Sequence, residues 1–464
     1  LGKVLMSRSW WKPRKSKHDP IHFAWGPRMD FHKLGTLCSR IEGNEEVNSK
    51  DNLFRNLWFY CTQYNLPLYR IVPVTFSFRL NESVFSSDLQ NFAKIFLSQE
   101  LKTSVPSLVP VETFSDRFNR THQVYFDFEI LTYTRPPPLL YSASRFLNPR
   151  AELINTSRYP TLFAGENIWM IKPSGMSRGR GLELFSKLEE LKKFMHMYTR
   201  EGYSTQDYSN IGYSDDNAHS PWVDFTGSGG NVKTGDVAQR ASSQEGNQRK
   251  KNTRNNNSST FMSFVIQKYI EKPILYKGYK FDIRVYAVFT QNRELYVFDE
   301  AYVRLASQPF SVKNMNYYIH LTNNAVQCNS KNYSAIIDGN IFALSQLEKE
   351  LATELAVNEN TKELSQLLTG NYLMDRIRDT TRTVFEAVHR KLDPRKRGDM
   401  FELFGLDFMV DVELGVWLLE VNSNPSLSES NDWLRKLLTR MLGDLFNITV
   451  DRYFPPPPGH RSPD

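Results

Sequence analysis

The chain has 464 residues, enough for two or three domains at roughly 100–200 residues each, and 40% are apolar and 13% aromatic, so sizeable cores are available. No apolar run approaches the roughly 18 residues a membrane span needs; Cys38, Cys61 and Cys328 are scattered without metal-ligand spacing, which argues against a disulfide framework or zinc site and suits a reducing, intracellular compartment. The net charge of +7 and pI near 9.0 favour an anionic partner, whether nucleic acid, anionic membrane or acidic protein, without choosing among them.

Residues 1–150 read as a separate N-terminal domain with strand-like pieces at Leu68-Tyr69-Arg70-Ile71-Val72 and Val124-Tyr125-Phe126, and a stiff connector at Pro136-Pro137-Pro138. From Asn167 the pattern changes. Ile168-Trp169-Met170-Ile171 predicts a buried strand running into the glycine-rich loop Ser174–Gly181, and Ser186 to Tyr198 has helical spacing, with Leu188, Leu191, Phe194 and Met195 on one side. Residues 200–260 are rich in Ser, Asn, Gly, Gln and charge; they predict a disordered insertion inside the unit 151–275. A second unit, 276–455, opens with a strand at Phe281 to Phe289 and a hairpin-like piece at Leu295 to Leu305. Helices follow at 345–368 and 373–391, then two strands around Glu413-Leu414-Gly415. A last helix runs from Asp432 to Phe446, with Leu437, Leu438, Met441, Leu442 and Leu445 on one stripe, and 456–464 is a tail.

The chemistry-bearing residues lie on the strands. A tight turn at Glu413-Leu414 would set Asp407 opposite Glu420, and alternation then places Asp407, Glu420 and Asn422 on one face, with Leu406, Phe408, Val410, Trp417, Leu419 and Val421 on the other. Two opposed carboxylates repel. A hard divalent cation held by oxygen ligands would compensate, and Mg²⁺ suits them; solvated carboxylates on an exposed hairpin are the alternative. Lys280, Asp282 and Arg284 share one face of their strand, a pattern suited to phosphate and carboxylate handling, or to exposed ion pairs. Ser174–Gly181 is similar to a phosphate-covering loop or a plain surface turn, and is neither a Walker A motif nor a Rossmann fingerprint.

In order, the segments Trp169-Met170-Ile171-Lys172-Pro173-Ser174 with Ser177-Arg178-Gly179-Arg180-Gly181, Val265-Ile266-Gln267-Lys268-Tyr269-Ile270, Lys280-Phe281-Asp282-Ile283-Arg284, His320-Leu321-Thr322-Asn323, Phe404-Gly405-Leu406-Asp407-Phe408 and Leu419-Glu420-Val421-Asn422 resemble the tubulin–tyrosine ligase family over roughly 165–455. That resemblance implies an α/β (α+β) ATP-grasp fold with central mixed or antiparallel sheets, after a small N-terminal domain. It implies ATP contacts from Lys172 and Lys268, and phosphate capping by Arg178 with Gly179 and Gly181. Gln267, Tyr269 and Ile270 would form an adenine edge. Lys280, Asp282 and Arg284 would bind nucleotide and the reacting groups, and Arg304, His320, Thr322 and Asn323 would complete the pocket. Asp407, Glu420 and Asn422 would hold Mg²⁺.

The implied reaction joins a free amino acid to the acidic C-terminal tails of tubulin through an acyl-phosphate. Glutamate is favoured over glycine or tyrosine because its ligation is the commonest activity in the family, although His320–Gln327 is closer to the tyrosine- and glycine-adding branches. The implied setting is cytoplasmic, on the microtubule cytoskeleton including cilium or axoneme, with no nucleic-acid partner and no membrane span. The alternatives are an ATP-grasp ligase acting on another protein, and a catalytically silent relative that binds microtubules.

Overall fold

The computed structural model of the chain describes residues 1–13, 21–25, 36–79, 85–104, 160–174, 179, 181–199 and 263–460. The expected insertion at 200–260, the strand-like Val124-Tyr125-Phe126, the prolines at 136–138, Arg178 and the end of the tail lie outside these residues.

Two sheets carry the site. A short parallel pair, β1 (Phe23–Ala24) and β2 (Leu37–Cys38), stands apart from them. The smaller sheet contains β3 (Thr75–Arg79), β4 (Trp169–Pro173), β5 (Glu183–Phe185) and β6 (Ser263–Lys268) in the order β3-β6-β4-β5, all antiparallel. The larger contains β7 (Tyr279–Phe289), β8 (Leu295–Val297), β9 (Tyr302–Pro309), β10 (Ile341–Ala343), β11 (Glu402–Val410) and β12 (Val416–Ser423), in the order β10-β9-β7-β11-β12. Two antiparallel sheets in a mixed α/β chain are what the ATP-grasp resemblance implied.

Alternation explains the layers. In the smaller sheet Trp169, Ile171, Phe264 and Ile266 pack with Phe92, Phe96, Leu191 and Met195 of the flanking helices, while Lys172 and Gln267 point the other way, toward the cleft. In the larger sheet Phe281, Ile283, Val285, Leu406 and Phe408 pack on the helices Lys50–Gln63 and Tyr372–Val388. Each such buried side chain contributes about 1.5–3 kcal/mol of transfer free energy. The opposite face of β7 is divided. Tyr286 and Val288 join the core under the helix Asp432–Ile448, whereas Lys280, Asp282 and Arg284 form a buried charged row at the other end.

Several expectations are corrected. Leu68–Arg70 is a 3₁₀ turn, not a strand. Leu295 to Leu305 is no hairpin: β8 pairs with Ala287–Phe289 of β7, and β9 with the other half of the same long strand. The expected helix at 345–368 is broken into Leu344–Leu355 and Lys362–Leu368 by a 3₁₀ turn at Glu359–Thr361. The residues before 105, read from sequence as a separate unit, contribute β3 to the smaller sheet and Leu53, Leu57 and Cys61 to the core of the larger one.

Candidate active site

The hairpin β11–β12 places Asp407 directly opposite Glu420, and Gly405 opposite Asn422. Asp411 sets the turn by accepting the N–H groups of Glu413 and Gly415 at 2.9 and 2.8 Å. The register shifts by one residue after Asp407, so that Phe408 faces Leu418. This bulge moves Leu418 into the apolar core and swings Trp417 and Leu419 to the opposite face, a correction to the simple alternation expected of β12. Leu419 consequently lines the cleft beside Glu420.

The charged residues are locked by short, mostly bidentate bonds. Arg284 donates from Nε and Nη2 to Asp407 at 2.5 and 3.0 Å. Arg304, on β9, donates from Nε and Nη2 to Asp282 at 2.7 and 2.6 Å, and its Nη2 also lies 3.0 Å from Asp407 Oδ2. Thr322 donates its hydroxyl to Asp282 at 2.6 Å. Burial pushes the Asp407 carboxyl up, but the Arg284 and Arg304 guanidiniums beside it prevail and hold it well below the usual carboxylate range. These bonds commit Nε and Nη2 of Arg284 to Asp407.

Lys280 begins a second network. Its ammonium donates to Tyr269 Oη at 3.0 Å and to the His320 carbonyl at 2.5 Å. Tyr269 Oη lies 2.8 Å from His320 Nδ1, and His320 Nε2 lies 2.6 Å from the Asn314 carbonyl. A carbonyl only accepts, so Nε2 carries the proton and Nδ1 accepts from Tyr269. Burial, with Lys280 nearby, lowers the His320 pKa to about 4, so the imidazole is neutral in this chain of bonds. Burial lowers Lys280 to about 7 despite Asp282, with Lys172 adding to the fall. Lys172 falls to about 8, again mainly by burial, and donates to Gln267 Oε1 at 2.6 Å. Buried ammonium groups held this low are poised to receive an anion.

A cleft of about 620 Å³, including its open mouth, lies between the two sheets; Met170, Lys172, Gln267, Lys280, Asp282 and Asp407 are among its walls, whereas Arg284 and Arg304 reach it only through the carboxylates they bond. Tyr269, Ile270, His320, Thr322, Asn323 and Glu420 also face it. Asn422 reaches the same carboxylates, donating to Asp407 at 3.3 Å and to Glu420 at 3.0 Å. Gly179 and Gly181 take left-handed φ values of +77° and +67°, and a Cβ on Gly179 would stand 3.3 Å from Val326 and 3.6 Å from Asn323, so Gly179 itself lies against the Leu321–Val326 segment.

One expected contact is not brought in. The Lys268 ammonium bonds Glu271 and, at 2.8 Å, the Ile168 carbonyl, over the rings of Phe163 and Trp169, so its charge is used within the fold and only the rest of the residue borders the cleft. One residue was missed from sequence. Lys50, at the start of its helix, puts Nζ 3.9 Å from Glu420 Oε2. No local motif marks it; only tertiary folding carries residue 50 to residue 420.

The face expected to hold the metal offers oxygen donors only, and its Asp407 is already paired with Arg284 and Arg304. Among the described residues no three His, Cys, Asp or Glu cluster together; the face has two carboxylates and one amide. The Asn422 Nδ2 donor stands between Asp407 and Glu420, where positive charge is needed, and half a turn of that amide would present its oxygen instead.

Comparison with known proteins agrees with the geometry. The model of the family described as "Tubulin-tyrosine ligase family" matches residues 114–458. The chain belongs to the tubulin-tyrosine ligase family. Among curated tubulin-tyrosine ligase relatives it is similar to "Tubulin glycylase 3D" of Tetrahymena thermophila, 28% identical over 292 residues, covering 62% of this chain and 21% of that protein. It is also similar to "Tubulin monoglycylase TTLL3" of Homo sapiens, 24% identical over 292 residues, covering 62% and 29%. "Tubulin glycylase 3B" of Drosophila melanogaster is 30% identical over 196 residues, covering 40% and 24%. The matches thus span about a fifth to three tenths of these family members. Among the described residues no helix is long and apolar enough to cross a membrane.

Proposed function

We propose that this chain is the catalytic part of an ATP- and Mg²⁺-dependent ligase that joins a free amino acid, glycine in preference to glutamate, to the acidic tails of tubulin on microtubules. The observation that carries the ligase reading is one cleft whose walls hold the buried ammonium groups of Lys172 and Lys280 together with the carboxylates of Asp282, Asp407 and Glu420, with Arg284 and Arg304 bonded to Asp407 and Asp282. The names of the three relatives given above, each a tubulin glycylase, support a tubulin acceptor and favour glycine over glutamate, the amino acid favoured by sequence alone.

ATP, when bound, supplies the phosphoryl group that activates a carboxylate for attack by an amine. Asp407, Glu420 and Asn422 would hold Mg²⁺, which would offset charge on the phosphates. The protein's own work is positioning and electrostatics. Gln267, Tyr269 and Ile270 border the adenine end. Lys172 and Lys280 meet the phosphates and gain their full charge in doing so. Asp407 fixes the Arg284 guanidinium through Nε and Nη2. Thr322 and Arg304 hold Asp282 rigid. Arg178, Gly179 and Gly181 cover the phosphates from the glycine loop. No side chain acts as a covalent nucleophile.

The test is incubation of the chain with ATP, Mg²⁺, polymerised tubulin and labelled glycine, glutamate or tyrosine, with added mass located on the tails. Glycine incorporation is expected. Incorporation only into another protein would sink the tubulin assignment, and microtubule binding without ADP formation would sink the ligase reading.

A further inference from the structure

Behind the charged residues, the same face of the larger sheet carries a second row. Arg284, Asp407 and Glu420 are directly paired across β7, β11 and β12; two residues further along each strand, Tyr286, Gly405 and Asn422 are paired in the same way. Gly405 leaves a gap in the middle of this row. Pro425 and Arg284 occupy it, since a Cβ on Gly405 would stand 2.9 Å from Pro425 Cβ and 3.2 Å from Arg284 Nη1. Asn424, with a left-handed φ of +49°, turns the chain back after Asn422 and brings Pro425 over Gly405.

Tyr286 meets this return from the other side of the gap. It is 1% exposed and packs in the apolar core under the helix Asp432–Ile448, yet its hydroxyl lies 3.1 Å from the Ser426 carbonyl and 3.3 Å from the Tyr302 hydroxyl. A carbonyl only accepts, so Tyr286 donates to Ser426 and receives from Tyr302. Tyr302 is itself paired across the sheet with Arg284. A phenylalanine would fill the same apolar space, and a buried hydroxyl is costly unless it is bonded; here both of its bonds lead toward the site, one through the return and one toward the arginine row.

We infer that Tyr286 is a positioning residue. Through the Ser426 carbonyl it holds the Asn422–Ser426 return against β11. That contact sets the Asn422 amide between Asp407 and Glu420 and keeps Pro425 beside Arg284. Tyr286 touches no reacting group and acts through Asn422. This deepens the ligase reading above and rests on it.

The experiment compares Tyr286→Phe, which keeps the ring and removes the hydroxyl, with wild type. It measures kcat and KM for ATP in the ligation assay, and Mn²⁺ affinity with ADP present, read from the electron paramagnetic resonance of free Mn²⁺. The variant is expected to lose about tenfold in kcat, the worth of one hydrogen bond. Its Mn²⁺ affinity is expected to fall about tenfold, with KM for ATP changed by less than about twofold. Pro425→Ala, which loosens the same return from the other side, is expected to show the same pattern, and it reports on the return even if Tyr286→Phe folds poorly. Wild-type kcat and Mn²⁺ affinity in either folded variant, or a rise in KM for ATP equal to the fall in kcat, overturns the inference and leaves the ligase reading standing. A fall in kcat with wild-type Mn²⁺ affinity overturns the route through Asn422. A wild-type chain that ligates no amino acid to any acceptor overturns the ligase reading, and the inference with it.

Discussion

Glu420 and Asp407 stand opposite each other but have different duties. Asp407 is 2% exposed and bonded by two arginines; Glu420 is half-buried and touches Asn422 and, more distantly, Lys50. Glu420→Gln is therefore expected to lower ligation by about a hundredfold or more while the melting temperature stays near wild type; undiminished turnover would sink the metal assignment. Asp407→Asn is expected to lose activity and stability together, by about 3–5 kcal/mol in chemical denaturation, because two buried guanidiniums lose their counter-charge. Lys280 offers a test by pH. Its pKa in the folded chain is about 7 against the ordinary 10.5, so the free site is largely deprotonated at this lysine at pH 8, and a phosphate anion favours the charged form. Nucleotide binding at pH 8 is expected to take up protons and at pH 6 to take up almost none from this group, read by calorimetry in buffers of different ionisation enthalpy. Proton release at pH 8 would contradict it.

At the scale of elements, the site depends on how closely β7, β11 and β12 approach. Gly405 of β11 faces Asn422 across the hairpin, and a Cβ there would stand 2.9 Å from Pro425 and 3.2 Å from Arg284 Nη1. Gly405→Ala is expected to displace the Arg284 guanidinium, with a cost of about 1–3 kcal/mol in unfolding free energy and a larger proportional loss in ligation than in nucleotide affinity. Counting outward from the turn, which pairs Val410 with Val416 and Phe408 with Leu418, sets Asp407 against Leu419; the pairing with Glu420 expected from the sequence is reached through the bulge. The bulge was not legible in the sequence, since one extra residue leaves the hydrophobic pattern readable in two ways, and burial against two different cores chose between them. The pairing of both β8 and β9 with β7 was hidden for a similar reason: β7 is long enough for two partners, and alternation does not say which half each takes.

Across the whole molecule, the two ends of the chain meet. Arg8 is 1% exposed and donates to Asp451 at 2.9 Å and to Asn447 at 2.7 Å, which ties the first helical turn to the helix under the larger sheet. Arg8→Ala is expected to destabilise the chain by about 1–3 kcal/mol, since it removes the charge-assisted bonds of a buried guanidinium to Asp451 and Asn447. The check is a denaturant midpoint, and an unchanged midpoint would show that the contact is dispensable. The same long-range folding brings Asn44 to Glu402, at 2.8 and 2.9 Å, and Lys50 to Glu420.

The sequence by itself determined the family and the strand faces that carry Lys280, Asp282, Arg284 and Asp407. All of these follow from period-two alternation and from short ordered motifs, which are local. Tertiary structure alone decided that Lys268 spends its charge on Glu271, that His320 is a neutral link between Tyr269 and Asn314, and that residues 48–54 build a second cleft beside Glu420. Such facts depend on burial and on contacts between residues hundreds of positions apart, where the protonation state and the partner of a polar group are set by what the fold packs around it.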